Sequence, residues 1–306
     1  MALDLRPLTL AELLDRSFST YKRHVWLFAG IMAIPGALAL GYTVLMQFLQ
    51  HWLGPMTPTP NMTPEAVFLR MAPMVVAGLV FLVVYMVVYA FALGATTVAV
   101  ARIYNDQAVD VAETYRAVRP QGWRLVGLLI WATLRVMLAA MGLVLATGVL
   151  AALAALLTPI LSVLIMFAGV GASFLLSIYL MVRYGVCVPA AVIENLGPNG
   201  AIKRSVELTE DYRGRIFLIL LCAIVITYAA AALLQGPFIV GALLAGPETV
   251  TALTLNLIGA VLGTAGSLFT GPIMIIGLAL AYYDLRIRKE ALDLQMMLAS
   301  LDAPRA

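Results

Sequence analysis

Six long apolar stretches constrain this 306-residue chain more than any other feature. Each meets or exceeds the roughly 20 apolar residues that a helix needs to cross a bilayer. Their apolar residues are continuous instead of alternating, which excludes a transmembrane barrel. Only 11% of the residues are charged, against about a quarter in soluble domains. The sequence therefore predicts an all-α polytopic membrane protein with one membrane domain over residues 1–306. The six predicted spans are 25–49, 72–100, 125–157, 160–182, 216–245 and 250–283.

The distribution of basic residues predicts the orientation of these spans. Of the 19 lysines and arginines, all except Arg70 and Arg135 lie before the first span, between the second and third, around the gap between the fourth and fifth, or after the sixth. These loops alternate, so they share one side of the membrane, and basic loops are retained in the cytoplasm. We therefore expect both termini in the cytoplasm. Because the basic residues flank spans, no nucleic-acid partner is expected.

Two segments are predicted to form helices outside the hydrocarbon. Thr9 and Glu12 have the capping-box spacing, which starts an amphipathic interfacial helix over 9–24. The first apolar stretch is longer than the core of a signal peptide, so we expect the N-terminus to be retained. Residues 284–301 carry opposite charges four positions apart, such as Asp284 and Arg288, and predict a cytoplasmic C-terminal helix.

The pattern before the first span recurs along the chain. Asp110 and Glu113 repeat the capping-box spacing before the third span, and Pro198 begins a similar segment before the fifth. One interpretation is three units, each made of a surface helix and a membrane hairpin. The alternative is that these short matches are coincidental.

Prolines and small residues within the spans have two interpretations. Pro35 and Pro272 are expected to bend or break their helices, because proline lacks a backbone donor. Gly259 and Gly263, and Gly169 with the serines that follow it, have the four-residue spacing that lets helices approach closely in lipid. Either these residues serve the packing of the bundle, or broken helices frame a transport site.

Arg135 is the one basic residue inside a predicted span. Counted from Leu125, it lies about 15 Å along the helix, where a charge costs several kcal/mol unless it is paired or hydrated. In the placement that we favour, Val136–Leu157 crosses the membrane alone and Arg135 extends to the cytoplasmic headgroups. The other interpretations are a functional charge that lines a hydrated cavity and a structural hydrogen-bonding role.

No motif for catalysis or cofactor binding is found. The sequence lacks a P-loop, a metalloprotease histidine pair, a nucleophile elbow and a dinucleotide-binding glycine motif. Its two cysteines and two histidines do not form a zinc-binding pattern. We therefore expect no cofactor, no metal and no enzymatic activity. The densest polar segment, 194–215, is interpreted as a charge-paired loop that sets the topology.

The basic members of the predicted cytoplasmic segments are candidates for contact with anionic lipid headgroups. They are Lys22, Arg23, Arg116, Arg119, Lys203, Arg204, Arg213, Arg215, Arg286 and Arg288. The expected function is that of a non-catalytic membrane protein that organises lipid or binds a membrane-protein partner. A transporter or permease for a small or lipid-like substrate is the first alternative. A lipid-headgroup-modifying enzyme that uses Glu194 or Asp211 as its base is the second.

Three segments carry a resemblance to a known family. They are residues 8–24, which include LTLAELLDRSF and YKRH; 192–209, with VIE and AIKRSVELT; and 282–290, YYDLRIRKE. In order and spacing they resemble the bacterial glycerophosphoryl diester phosphodiesterase membrane-domain family. The resemblance implies a multi-pass protein of the bacterial inner membrane. It does not imply the phosphodiesterase activity, which belongs to a separate soluble domain that some relatives carry.

Overall fold

The computed structural model of this protein describes residues 8–53, 64–246 and 249–290. Within these ranges the chain is helical apart from turns, and one 3₁₀ turn (Arg119–Gln121) joins the fourth and fifth helices. The α-helices of the described residues are α1 (Leu10–Arg23), α2 (Val25–Leu53), α3 (Pro64–Tyr104), α4 (Val111–Val118), α5 (Gly122–Ala155), α6 (Pro159–Arg183), α7 (Cys187–Ile193), α8 (Pro198–Thr209), α9 (Arg213–Ala245) and α10 (Val250–Glu290).

Six of these helices are long and apolar enough to cross a membrane: α2, α3, α5, α6, α9 and α10. This confirms the prediction of a helical multi-pass membrane protein. The helices α2 and α6 have 29 and 25 residues, whereas α3 and α10 each have 41. At 1.5 Å per residue, the longest helices measure about 60 Å, roughly twice the hydrocarbon thickness. Several helices are therefore longer than a crossing requires.

Of the bend or break predicted at two prolines, the break is absent. Pro35 lies inside α2 and Pro272 inside α10, and each helix continues through its proline. Proline removes one helical hydrogen bond, whereas a break would leave more backbone groups unsatisfied in an apolar environment. Likewise, the segment from Asp284 does not begin a separate helix. It continues α10 to Glu290, because it contains no glycine or proline. The rest of the predicted C-terminal helix, 291–301, lies outside the described residues.

The chain divides into two compact units. Of the described residues, unit 1 comprises 8–10, 121–220 and 278–290, and unit 2 comprises 11–53, 64–120, 221–246 and 249–277. The helix α9 begins in unit 1 and ends in unit 2, whereas α10 begins in unit 2 and ends in unit 1. Each unit therefore contains parts of both helices.

In unit 1, α5 and α6 form a closely packed hairpin. A β-carbon added to Gly169 would lie 2.5 Å from Thr147 Cβ, so the two helices meet at a place where no larger residue fits. Ser173 is buried, and its hydroxyl donates to the Ala140 carbonyl across the hairpin at 3.2 Å. The predicted packing role of Gly169 and the serine after it is confirmed.

In unit 2, the other pair of small residues packs α9 against α10. A β-carbon on Gly259 would lie 3.2 Å from Phe238 Cβ, and the Gln235 side chain occupies the space that a β-carbon on Gly263 would need. The glycine spacing thus has its packing role here too.

At the start of α4 in unit 2, Asp110 is an N-cap, but it does not form the predicted capping box, in which it would accept from the Glu113 amide. Asp110 accepts a hydrogen bond from the Ala112 amide at 3.1 Å, which satisfies one of the free amides of the first turn. Glu113 does not complete the motif and instead pairs with Arg102 at the end of α3, with 3.0 Å between Oε2 and Nη1. This ion pair links α4 to α3.

Candidate functional site

The predicted polar segment lies at one end of unit 1. After α7 ends at Ile193, Asn195 adopts a left-handed backbone conformation with φ of 53°, which asparagine tolerates better than most residues. Pro198 then begins α8, a position where its missing amide hydrogen costs nothing. This turn lets side chains of α8 meet those at the start of α9 and the end of α10.

Five residues form a first group of charges, the Glu194 cluster: Glu194, Arg204, Tyr282, Arg286 and Glu290. Arg204 Nε lies 2.9 and 3.0 Å from the two Glu194 oxygens, and Arg204 Nη2 pairs with Glu290. Arg286 Nε lies 3.0 Å from Glu290 Oε2 and 3.7 Å from Glu194 Oε1. The Tyr282 hydroxyl donates to Glu194. Two guanidinium groups thus balance two carboxylates.

The pKa of Arg204 reflects this environment. Burial lowers the pKa of its guanidinium group, but hydrogen bonds and ion pairs with Glu194 and Glu290 raise it by more, so the net shift is upward. A raised pKa means that folding favours the charged form. This stabilisation is fully present below the ordinary arginine pKa and is lost only as pH rises through the folded value. Arg204 therefore stays charged at physiological pH.

A second group, the Asp284 cluster, consists of Leu8, Arg215, Asp284 and Arg288. Asp284 is only 2% exposed. Its Oδ1 accepts from the Leu8 amide at 2.8 Å, and its Oδ2 lies 3.3 Å from Arg215 Nη2 and 3.0 Å from Arg288 Nε. The Leu8 carbonyl accepts from both arginines. Both oxygens of the buried carboxylate therefore have partners, as a buried charge requires.

These contacts use the charges to join helix ends. Lys289 adds a further link, because its Nζ lies 2.7 Å from both Asp211 Oδ2 and the Glu207 carbonyl. Glu194 and Asp211, the two carboxylates considered as bases, each pair with cationic side chains of the protein. Among the described residues, no group of three or more histidine, cysteine or acidic side chains could hold a metal ion. The charges therefore make contacts within the protein, between the ends of its helices.

Arg135 and two other residues of α5 contact α8 and the turn before it, and the polar partner of Arg135 is on α8. Arg135 Nη2 donates to Asn199 Oδ1 at 3.0 Å, and its guanidinium carbon lies 5.0 Å from the centroid of the Trp131 ring. Trp131 Nε1 donates to the same oxygen at 2.6 Å, and Arg124 donates to Asn195 at 3.1 Å. These three α5 residues are seven and four positions apart, so they share one helix face.

This face affects the placement of α5 in a membrane. The part of α5 up to Arg135 lies beside the polar segment that contains Asn199. The part that is left to cross a membrane is Val136–Ala155. That remainder of roughly 20 residues measures about 30 Å, enough to cross the hydrocarbon. The contacts give Arg135 a structural hydrogen-bonding role and are compatible with a position at the membrane surface. The depth of Arg135 stays a prediction.

The ten candidate headgroup residues divide into three groups. Those whose charge is neutralised in the two clusters are Arg204, Arg215, Arg286 and Arg288. Those that are exposed are Lys22, Arg23, Arg116, Arg119 and Lys203. Within the described part of the chain, only Lys203 of this exposed group has an acidic partner, Glu207 at 3.9 Å. Arg213 lies beside the Tyr179 ring.

The sequence did not identify several members of these contacts. Leu8, Tyr282 and Glu290 were not predicted to join the charged segment, and Asn199 was not predicted to bind Arg135. In the sequence, only the run of charged residues at the end of α10 indicated that oppositely charged partners were needed. No family model, curated protein or solved structure matches this chain.

Proposed function

We propose that this chain is a non-catalytic protein of the bacterial inner membrane that binds anionic lipid headgroups on its cytoplasmic side. The observation that carries the proposal is the exposure of Lys22, Arg23, Arg116 and Arg119, none of which has an ion pair among the described residues. Cations that are not needed for internal contacts are available to an anionic surface. A membrane-protein partner and membership of the resembled family are parts of the same proposal.

The four cations lie at one end of unit 2. Lys22 and Arg23 end α1, immediately before α2 begins. The helix α4, which carries Arg116 and is followed directly by Arg119, is attached near the same end of α2, because the Tyr115 hydroxyl donates to the Ile31 carbonyl at 2.8 Å. Ile31 is six residues into α2, about 9 Å along its axis. The cations can therefore face one lipid surface together.

Both short helices have the pattern of interfacial helices. In α1, Leu13 and Ser17 are buried whereas Lys22 and Arg23 are exposed. In α4, Thr114 and Val118 are buried and Arg116 is exposed. One face packed on protein and a basic face outward suits a helix in the headgroup region. By the rule that basic loops stay inside, this end and both termini lie in the cytoplasm.

The attraction of such cations to lipid is cumulative. Each lysine or arginine near an anionic surface contributes about 1 kcal/mol, and the effect falls off within a Debye length of about 8 Å at physiological salt. A set of four is therefore expected to select anionic lipid clearly, even though each contribution is modest. The transport alternative was supported by expected breaks in the helices and by Arg135. The continuity of α2 and α10 removes the first of these supports.

The test is lipid binding by the full-length protein in detergent, measured by native mass spectrometry with phosphatidylglycerol and phosphatidylcholine. Replacing Lys22, Arg23, Arg116 and Arg119 by glutamine should weaken phosphatidylglycerol binding by at least about tenfold and leave phosphatidylcholine binding unchanged. The matched control exchanges lysine and arginine at the same four positions, keeps all four charges and should bind like wild type. Unchanged phosphatidylglycerol binding by the glutamine variant would refute the proposal.

A further inference from the structure

Two arginines in unit 1 stand beside one tyrosine ring. The guanidinium carbon of Arg183 lies 5.5 Å from the centroid of the Tyr179 ring, and that of Arg213 lies 5.3 Å from the same centroid. Arg183 is the last residue of α6 and Arg213 is the first residue of α9. One ring thus contacts two cations that are 30 positions apart in the sequence.

Neither guanidinium group has an acceptor in the part of the chain that the structure describes. Among the described residues, no carboxylate pairs with Arg183 or Arg213, and no hydrogen bond forms to either side chain. The Nε atoms of both are buried and unpartnered. An arginine carries five N–H donors, and buried donors without acceptors are costly. The neighbouring Arg215 also has a buried Nε without a partner, but its Nη2 binds Asp284 and the Leu8 carbonyl, so the difference lies in the anion that Arg215 has and the other two lack.

The position of Arg213 adds to this imbalance. The N-terminus of a helix carries partial positive charge and free amide groups, so it favours anions and disfavours cations. The first turn of α9 contains Arg213 and Arg215 and no acidic residue. Asp284 compensates Arg215, but no described acidic residue compensates Arg213. An external anion would remove both the repulsion and the lack of acceptors.

Further support comes from how firmly Arg183 is anchored. Its backbone carbonyl accepts hydrogen bonds from Ser205 at 2.8 Å and from Thr209 at 3.3 Å, both on α8. Ser205 and Thr209 are fully buried. The backbone from which the Arg183 side chain projects is therefore fixed, and a fixed cation loses little conformational entropy when it binds a ligand.

We propose that Arg183 and Arg213 form a binding site for a phosphate group, with the Tyr179 ring as the platform that holds both guanidinium groups. Guanidinium matches the geometry of phosphate oxygens and forms paired, charge-assisted hydrogen bonds with them. The phosphate belongs to a lipid headgroup or to a soluble phosphate compound. The assignment to lipid rests on the proposed function, whereas the phosphate site itself does not.

The experiment measures binding of two probes to the full-length protein in detergent: phosphatidylglycerol by native mass spectrometry and inorganic phosphate by calorimetry. Arg183→Gln and Arg213→Gln should each lower the affinity for the probe that the site binds by about tenfold or more. Arg124→Gln removes one exposed charge from the same unit, at a residue outside the candidate headgroup set, and should have little effect. Arg183→Lys keeps the charge without the paired donors, so its affinity should be intermediate; this separates a lost contact from misfolding.

The two probes distinguish the sources of the phosphate. Weakened phosphatidylglycerol binding identifies a lipid headgroup, whereas weakened inorganic phosphate binding with unchanged phosphatidylglycerol binding identifies a soluble compound. If Arg183→Gln and Arg213→Gln bind both probes as Arg124→Gln does, the site is refuted. The glutamine variant of the four unit 2 cations should leave this site intact, so the failure of one proposal can be told from the failure of the other.

Discussion

Asp284 shows how a single residue organises one end of unit 1. It is the only charged residue in the described part of the chain that is fully buried. It bonds the segment before α1, the first turn of α9 and its own helix through Leu8, Arg215 and Arg288. Removing one partner from such a group leaves an uncompensated buried charge, which costs more than the pair contributes.

Asp284→Asn should therefore destabilise the protein by about 3 kcal/mol. Asparagine can still accept from the Leu8 amide, but it leaves two guanidinium groups without their anion. The measurement is thermal unfolding in detergent, followed by the loss of the monodisperse peak. Asp211→Asn is the matched control, because Asp211 is 70% exposed and pairs only with Lys289 among the described residues; its effect should be within about 0.5 kcal/mol. Equal effects of the two variants would contradict the role of Asp284.

The partners of Asp284 and Arg135 could not be predicted from the sequence, for a physical reason. Leu8 and Asp284 are 276 positions apart, and Arg135 and Asn199 are 64 apart. Periodicity and charge pattern report which face of a helix is polar, but not which distant helix end meets that face. The sequence thus showed that Arg135 needed a partner, and only the fold supplied Asn199.

At the scale of helices, close approach depends on small residues in the hairpin of α5 and α6. Gly169 faces Thr147 Cβ, an atom next to the backbone that cannot rotate away. Gly171 lies in the same helix with nothing within 4 Å of an added β-carbon. The two glycines therefore separate the effect of interhelical packing from that of helix propensity.

Gly169→Ala should destabilise the hairpin by about 1–3 kcal/mol, because the helices must move apart to admit one methyl group. Gly171→Ala should be neutral or stabilising by up to about 1 kcal/mol, because alanine favours a helix more than glycine does. Thermal unfolding of both variants in the same detergent provides the comparison. If Gly169→Ala is as stable as Gly171→Ala, the close approach of Gly169 to Thr147 does not constrain the hairpin.

The helices themselves were largely predictable. Continuous apolar stretches located all six long helices, because the requirement to satisfy backbone groups in lipid leaves a helix as the one simple solution. Helix ends were less predictable: α10 continues to Glu290, and α5 begins at Gly122. Apolarity marks the part of a helix that lies in hydrocarbon, whereas its polar extensions depend on packing with other segments.

At the scale of the whole molecule, lipid binding depends on the side of the membrane that the basic segments face. Charges that bind anionic headgroups, in either unit, act as proposed only if they lie on the cytoplasmic side. The alternation of six spans predicts that the turns after α5 and α9 lie on the opposite side. The side of the membrane on which a residue lies can be measured for one position at a time.

The most direct measurement is labelling of single cysteines by a membrane-impermeant maleimide, in a background with Cys187 and Cys222 replaced by alanine. Arg119→Cys and Lys203→Cys test the exposed basic segments, and Leu157→Cys and Leu244→Cys test the exposed opposite ends. In intact cells, only the two leucine positions should be labelled, and all four should be labelled after permeabilisation. Labelling of Arg119→Cys and Lys203→Cys in intact cells, with protection of the leucine positions, would contradict the cytoplasmic placement of the basic segments.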